Sequence, residues 1–290
     1  MANRRVLVKR RKSIRNIRKI TRTMQLIATA RFQAAYNRAV ATKPYTEKLA
    51  ELVADLGRAG ELDHPLLKPG NAAAPAALVV LTSMRGLCGG YNSSVQRAAL
   101  GFLGQHKAAG QAPELHVFGK KGIAFFKFIR QAMAEQNVSV GDTPRFEHVE
   151  PVANALIAAF LAGKVSSVNV AYMRFYSAGR QRPEVFQLLP LTQEAPAEGA
   201  PKPRAVEYEL SPEPEKLLNE LLPATVRVRL FQAFVDAAVS EQIARMVAMK
   251  AATEASEDMI KTLTRQYNRA RQTAITLELL DIVGGANALA

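Results

Sequence analysis

The sequence predicts an α/β fold with long helices: an antiparallel coiled coil of the N- and C-terminal helices plus an inserted Rossmann-like α/β domain. Three observations predict it. Residues 1–43 and 224–283 contain no glycine and no proline, although the chain has 17 Gly and 15 Pro. Apolar and small residues recur at heptad spacing in both stretches. Between them, short apolar runs alternate with helical patterns. The expected divisions are 1–57 for the N-terminal coiled-coil helix, 70–205 for the Rossmann-like domain and 206–290 for the C-terminal coiled-coil helix.

Glycine and proline are costly inside helices, so two long stretches without them read as two long helices. At 1.5 Å per residue they would span roughly 60 Å and roughly 90 Å. Helices of that length need a long partner. In the first, Ile17, Ile20, Met24 and Ile27 step by three and four, and Ala34 and Ala41 continue the register with Arg31 and Arg38 interrupting. In the last, the seam reads Val239, Gln242, Met246, Met249, Thr253, Ser256, Ile260, Leu263, Tyr267, Ala270, Ala274 and Leu277. This is a coiled-coil repeat with small and polar seam residues, softer than a leucine zipper.

The middle follows another period. Residues 76–82 form a short apolar run, read as a buried strand, followed by a Gly-rich turn and a helix over 93–105. A strand is expected over 114–118, helices over 122–133 and 151–161, and strands over 165–176 and 184–191. Strands alternating with helices predict a parallel-type sheet. Residues 194–204, rich in Pro, Ala and charge, read as an exposed linker, and 207–222 lead back into the last helix.

Composition narrows the function. With 48% hydrophobic residues but 7% aromatics and no Trp, burial rests on Ala, Leu, Ile, Val and Met. No apolar run reaches the roughly 18 residues of a membrane span, and no secretory signal is expected. One cysteine, Cys88, excludes an internal disulfide or dithiol switch, which fits a cytosol-facing protein. The net charge is +14, and its distribution says more than its size. Residues 1–46 hold thirteen Lys or Arg and no acid, the first carboxylate being Glu47. Of the chain's 39 basic and 25 acidic residues, the remainder keeps 26 and 25 and is nearly neutral. One basic element calls for a partner that is acidic along a line or within a ring.

Signatures of catalysis are absent. Arg85-Gly86-Leu87-Cys88-Gly89-Gly90-Tyr91-Asn92 follows a strand and precedes a helix, where phosphate loops sit. It lacks the Lys-Ser/Thr pair of a Walker loop and the G-x-G-x-x-G order of a dinucleotide site, so it reads as a tight turn. Gly119-Lys120-Lys121-Gly122 likewise reads as a turn rather than an anion cradle. No motif ties Cys88 to His64, His106, His116 or His148, and these histidines have no metal-ligand spacing. No carboxylate pair suggests acid–base chemistry. No catalytic residue, cofactor site or metal site is therefore assigned. A nucleic-acid-binding coiled coil would explain the charge but not the inserted domain, and a nucleotide-binding enzyme would explain only the turn.

The termini carry a resemblance. The run from Arg10 to Met24 (RRKSIRNIRKITRTM), the turn from Arg85 to Asn92, Ser240-Glu241 with the run from Ala244 to Thr253, and the run from Tyr267 to Thr276 resemble the gamma subunit of F-type ATP synthases. Glu278-Leu279 and the run from Ile282 to Ala286 complete the pattern, which covers the chain in order. One departure is Met84, where the family usually has Asp. The long loop and cysteine pair of chloroplast members are also missing. The resemblance implies a non-catalytic rotary central stalk, without cofactors, coupling ion flow through the membrane sector to the cycling of catalytic beta subunits. It implies one copy per complex, with the alpha and beta subunits, epsilon and the ring of membrane c subunits as partners and no nucleic acid. The implied location is the cytoplasmic face of a bacterial plasma membrane. By motif position it assigns Met24, Arg245, Arg271, Gln272, Thr276 and Glu278 to contacts with alpha and beta. Tyr208 and Glu209 fall where the family's foot approaches the membrane ring and epsilon.

Overall fold

The computed structural model describes residues 4–59, 64–191 and 214–289. The linker expected at 194–204 and the residues leading into the last helix before position 214 lie outside the described residues. Helix α1 runs Arg4–Ala59 and α5 runs Pro214–Leu289. Both exceed the stretches free of breakers. α1 continues through Pro44, and α5 contains Pro223 and continues past Gly284 and Gly285. A proline removes one helical hydrogen bond, and packing on either side can carry the helix past it.

By its internal contacts the chain forms two compact units, residues 1–30 with 245–290, and residues 31–244. The second holds a five-stranded sheet of β1 (Ala77–Leu81), β2 (Glu114–Phe118), β3 (Glu135–Asn137), β4 (Val168–Ser177) and β5 (Arg180–Leu189), in the order β3-β2-β1-β4-β5. β1 to β4 are parallel neighbours, and β5 returns antiparallel on β4. The parallel expectation thus stops at β5, because two residues join it to β4 and leave no crossover helix. β3 is a strand that periodicity missed. Its Glu-Gln-Asn sequence carries no apolar signal, and pairing with β2 alone defines it.

β1 is central and wholly buried, hence its unbroken apolar run. Its alternate side chains enter two cores. Ala77, Val79 and Leu81 face α4 (Phe146–Leu161) and the part of α5 from Leu218 to Ala237, where Phe118 and Phe234 meet edge-on at 5.3 Å. Leu78 and Val80 face α2 (Tyr91–Ala108) and α3 (Lys120–Phe128). α3 ends five residues earlier than expected, since Arg130 takes a φ of 56° and cannot continue a right-handed helix. In the same unit Phe32, Ala35 and Ala39 of α1 pack on Val235, Val239 and Ile243 of α5.

In the unit formed by residues 1–30 and 245–290 the two helices pair alone. The Thr253 and Thr21 hydroxyls meet at 2.9 Å, Arg18 Nη1 lies 3.4 Å from Glu257 Oε1, and the Arg11 guanidinium sits 5.0 Å over the Tyr267 ring. Residue numbers rise on one helix as they fall on the other, so the pair is antiparallel. The α5 seam follows the expected register. Met249, Thr253, Ser256 and Leu263 are buried and Met246, Ile260, Tyr267, Ala270 and Ala274 half-buried; only Leu277 is exposed.

The α1 seam is displaced by one residue. Leu7, Thr21 and Ala28 are buried and Arg11, Ile14, Met24 and Gln25 half-buried, whereas Ile17, Ile20 and Ile27 are 45%, 59% and 49% exposed. Ala34 and Ala41 are exposed as well, with Ala35, Ala39 and Thr42 inward. Heptad counting favours the largest apolar residues. Close approach of two helices favours smaller ones, so Thr21 and Ala28 join Leu7 and Ile14 in the seam while Ile17, Ile20 and Ile27 turn outward. Such a seam is slack. In the free chain, amide exchange is expected to be faster over 4–30 and 245–289 than over β1, β2 and β4. Equal protection in both regions would rule out a loosely held pair.

Candidate partner surface on the terminal helices

The structure places the sequence-predicted residues at two levels of the helix pair. Met24 is half-buried at the rim of the seam on α1. With Thr21 opposite Thr253, it stands about level with Met249, a turn from Arg245, a residue only 7% exposed. Arg271, Gln272, Thr276 and Glu278 are exposed on α5, with the Thr276 hydroxyl donating to the Gln272 carbonyl at 3.0 Å. Arg271 and Glu278, two turns apart, share a face, and Gln272 and Thr276 share the next. This second group begins 26 residues beyond Arg245, about 40 Å along the helix. The residues therefore form two separate stations rather than one site. Tyr208 and Glu209 lie outside the described residues.

Beside the stations run large apolar side chains that face outward. Exposed Ile17, Ile20, Leu26 and Ile27 stand among Arg15, Arg18, Lys19 and Arg22, which are exposed too. Further along α5, Leu277, Leu279, Leu280, Ile282 and Val283 are all exposed. Large apolar side chains grouped on a surface mark interaction sites more often than solvent faces. The sequence signal for the isoleucines is the three-residue and four-residue spacing of Ile17, Ile20, Met24 and Ile27, which marks the outward face rather than the seam.

The Gly-rich turn is tied into the α/β unit. Asn92 Oδ1 accepts from the Ser83 amide at 3.0 Å, while its Nδ2 donates to Ser83 Oγ at 2.8 Å and to Cys88 Sγ at 3.2 Å. Cys88 is buried among apolar neighbours. Gly89 has a φ of 55°, and Leu87 shares that left-handed region at 65° while 60% exposed. Close by, the amides of Gly119, Lys121 and Gly122 donate to Asn137 O, Ser83 O and Thr82 Oγ1 at 3.0, 3.1 and 2.9 Å. These three amides are engaged within the fold. A Cβ on Gly119 would collide with the Thr82 carbonyl, so close backbone approach explains that glycine. Among the described residues no group of three or more His, Cys, Asp or Glu could hold a metal ion, and no helix is long and apolar enough to cross a membrane.

A family model described as ATP synthase matches residues 3–289. The ATP synthase gamma chain of Rhodopirellula baltica is 43% identical over 295 aligned positions, covering 100% of this chain and 99% of that one. The chain belongs to the gamma-subunit family of the F-type ATP synthases. The gamma chain of Frankia casuarinae is 41% identical, covering 97% of this chain and 96% of its own length. Solved structures share the fold of this gamma-family chain. One, from the Euglena gracilis mitochondrial ATP synthase (OSCP/F1/c-ring, rotational state 3), superposes with a TM-score of 0.68 at 18% identity. It covers 99% of this chain and 94% of that chain. Another, from the central stalk and c-ring of the Tetrahymena thermophila enzyme, has a TM-score of 0.55 at 20% identity, covering 80% and 99%. The helix pair and inserted sheet are thus the architecture of this family. The isoleucine stripe and the station from Arg271 to Glu278 are outward faces of this chain, whereas Met24 is half-buried and Arg245 buried.

Proposed function

We propose that this gamma-family chain is the rotary central stalk of an F-type ATP synthase, non-catalytic itself. In this reading one copy per complex couples ion flow through a ring of c subunits to the cycling of catalytic beta subunits. The outward face of α1 is the observation that carries the reading: half-exposed isoleucines interleaved with cations, on a helix whose inward face is small and slack. Covering three half-exposed isoleucines would contribute about 2–4 kcal/mol, while the cations suit acidic surfaces. Alpha and beta are the proposed occupants of this face and of the stations at Met24 and Arg245 and at Arg271, Gln272, Thr276 and Glu278. The divisions at 1–57, 70–205 and 206–290 separate the helices that enter the hexamer from the domain proposed to meet epsilon and the ring. The proposed foot includes Tyr208 and Glu209. The place of action is the cytoplasmic face of a bacterial plasma membrane, as a peripheral subunit.

Turning the rod presents different side chains to each beta subunit. Only contacts that differ between states can bias those states, so the asymmetry of the rod is what couples rotation to catalysis. The test is reconstitution. Purified alpha, beta and this chain are expected to form a complex whose ATP hydrolysis depends on the chain, and membranes carrying the remaining subunits are expected to pump ions only when it is present. Failure to join alpha and beta, combined with salt-dependent binding to random duplex DNA, would replace the stalk with a nucleic-acid-binding coiled coil.

A further inference from the structure

Asp142 lies in the loop between β3 and α4, after Gly141, whose φ is 67°. Its Oδ2 is 3.3 Å from Nη1 of Arg31 on α1 and 3.2 Å from Nε of Arg85 in the Gly-rich turn. Its Oδ1 is buried and accepts no hydrogen bond among the described residues. Three segments distant in sequence thus meet on one carboxylate oxygen, all within the unit of residues 31–244.

A buried carboxylate oxygen without a donor is unfavourable, and an amide of the same shape would avoid burying that charge. The charge has a purpose where the guanidinium groups converge on the other oxygen, since charge-assisted bonds are the stronger and more directional ones. The remaining polar contacts of the turn run through Ser83, Cys88 and Asn92 to α2, and through the Ser83 carbonyl to the Lys121 amide of α3. The path from Arg85 through Asp142 to Arg31 leads from the turn to α1. Both arginines are partly exposed, at 67% and 45% of their side chains, so salt should weaken this path more than the buried contacts.

We propose that Asp142 is a positioning residue, an ionic strut that fixes the Gly-rich turn against α1 and carries twist between the sheet and the helix. The part about twist rests on the central-stalk reading; the strut itself does not. The strut resists rotation of α1 against the sheet, so its loss loosens the turn in the free chain and lowers pumping only when the assembly works against a load.

The experiment compares Asp142→Asn, the pair Arg31→Gln with Arg85→Gln, and all three changes together. Amide exchange is measured on the full free chain, and ions pumped per ATP on membranes carrying the complete complex. Asp142→Asn is expected to assemble and hydrolyse ATP as the parent does. Amide exchange across residues 85–92 should rise about threefold, and by less in high salt. Pumping per ATP should match the parent against a shallow ion gradient and fall about twofold against a steep one. In the background lacking both arginines, Asp142→Asn should add nothing, because its partners are gone. Effects that add in full in that background, or unchanged exchange over the turn, overturn the strut. Unchanged pumping against the steep gradient overturns its role in carrying twist. If Asp142→Asn does not fold, Arg85→Gln alone removes one arm from an exposed side chain and should give the same salt-sensitive rise in exchange. Should the unaltered chain confer no pumping at all, the stalk reading fails, and the exchange cycle still decides the strut.

Discussion

Met24→Lys is expected to uncouple the assembled complex while leaving most of its ATP hydrolysis intact. Met24 stands at the rim of the seam, level with Met249 and flanked by the exposed cations of α1. A lysine there can lay its stem along the seam and hold its ammonium outside, so the helix pair should tolerate it. The added charge then faces whatever surrounds the helix. An extra ion pair with a beta carboxylate in one rotational state would deepen that state by about 1 kcal/mol, a factor of about 5 in its occupancy. A rotor with one deep stop can still turn over ATP, but it slips when asked to drive ions. Both rates, taken on the same membranes, check this: hydrolysis should stay within about twofold of the parent while ions pumped per ATP fall several-fold. Equal losses in both would point to impaired assembly and remove Met24 from the coupling surface.

Gly89→Val should have the largest effect on the chain itself. Gly89 has a φ of 55°, a region that costs an L-residue about 1–2 kcal/mol and a β-branched one more. Leu87 already occupies that region two residues earlier, so the turn carries one strained position and has little capacity for a second. Cys88 and Tyr91, buried on either side of Gly89, tie the turn to the core beneath α2. A loss of about 2–3 kcal/mol should lower the melting temperature by about 5–10 °C. Gly90→Ala is the control. Gly90 has a φ of −84°, and an added Cβ would meet Ser93 Oγ at an ordinary 3.9 Å, so this change should be nearly neutral. Calorimetry on the two variants separates backbone strain from mere loss of a glycine. A structural turn also predicts no measurable ATP binding by the unaltered chain; tight, saturable binding would show that the glycines serve a nucleotide instead.

Much of the fold was legible because the signals were local. The glycine-free and proline-free ends specify long helices, since every backbone group of a helix bonds within its own segment. β1 was readable for a related reason, since a strand buried on both faces must be apolar throughout; β2, with Glu114 exposed and His116 half-buried, was marked only by Leu115, Val117 and Phe118, and each strand fell within one residue of its expected ends. β3 was not readable. A polar three-residue strand exists only because β2 offers it an edge. The direction of β5 was not readable either, since it depends on the length of a turn rather than on the side chains of the strand.

The site divides along the same line. The basic α1, the Gly-rich turn and the polar seam of α5 are properties of the sequence alone, because charge, backbone freedom and side-chain size belong to single residues. Which face of α1 turns inward was decided only by the partner helix. Small residues let the two helices approach, as the contact of the Thr21 and Thr253 hydroxyls shows, and leave Ile17, Ile20 and Ile27 exposed. The meeting of Arg31, Arg85 and Asp142 on one oxygen was decided the same way, since no spacing along a chain reports contacts between segments that far apart. Sequence determined what each element is; tertiary packing determined which of its faces the rest of the molecule leaves open.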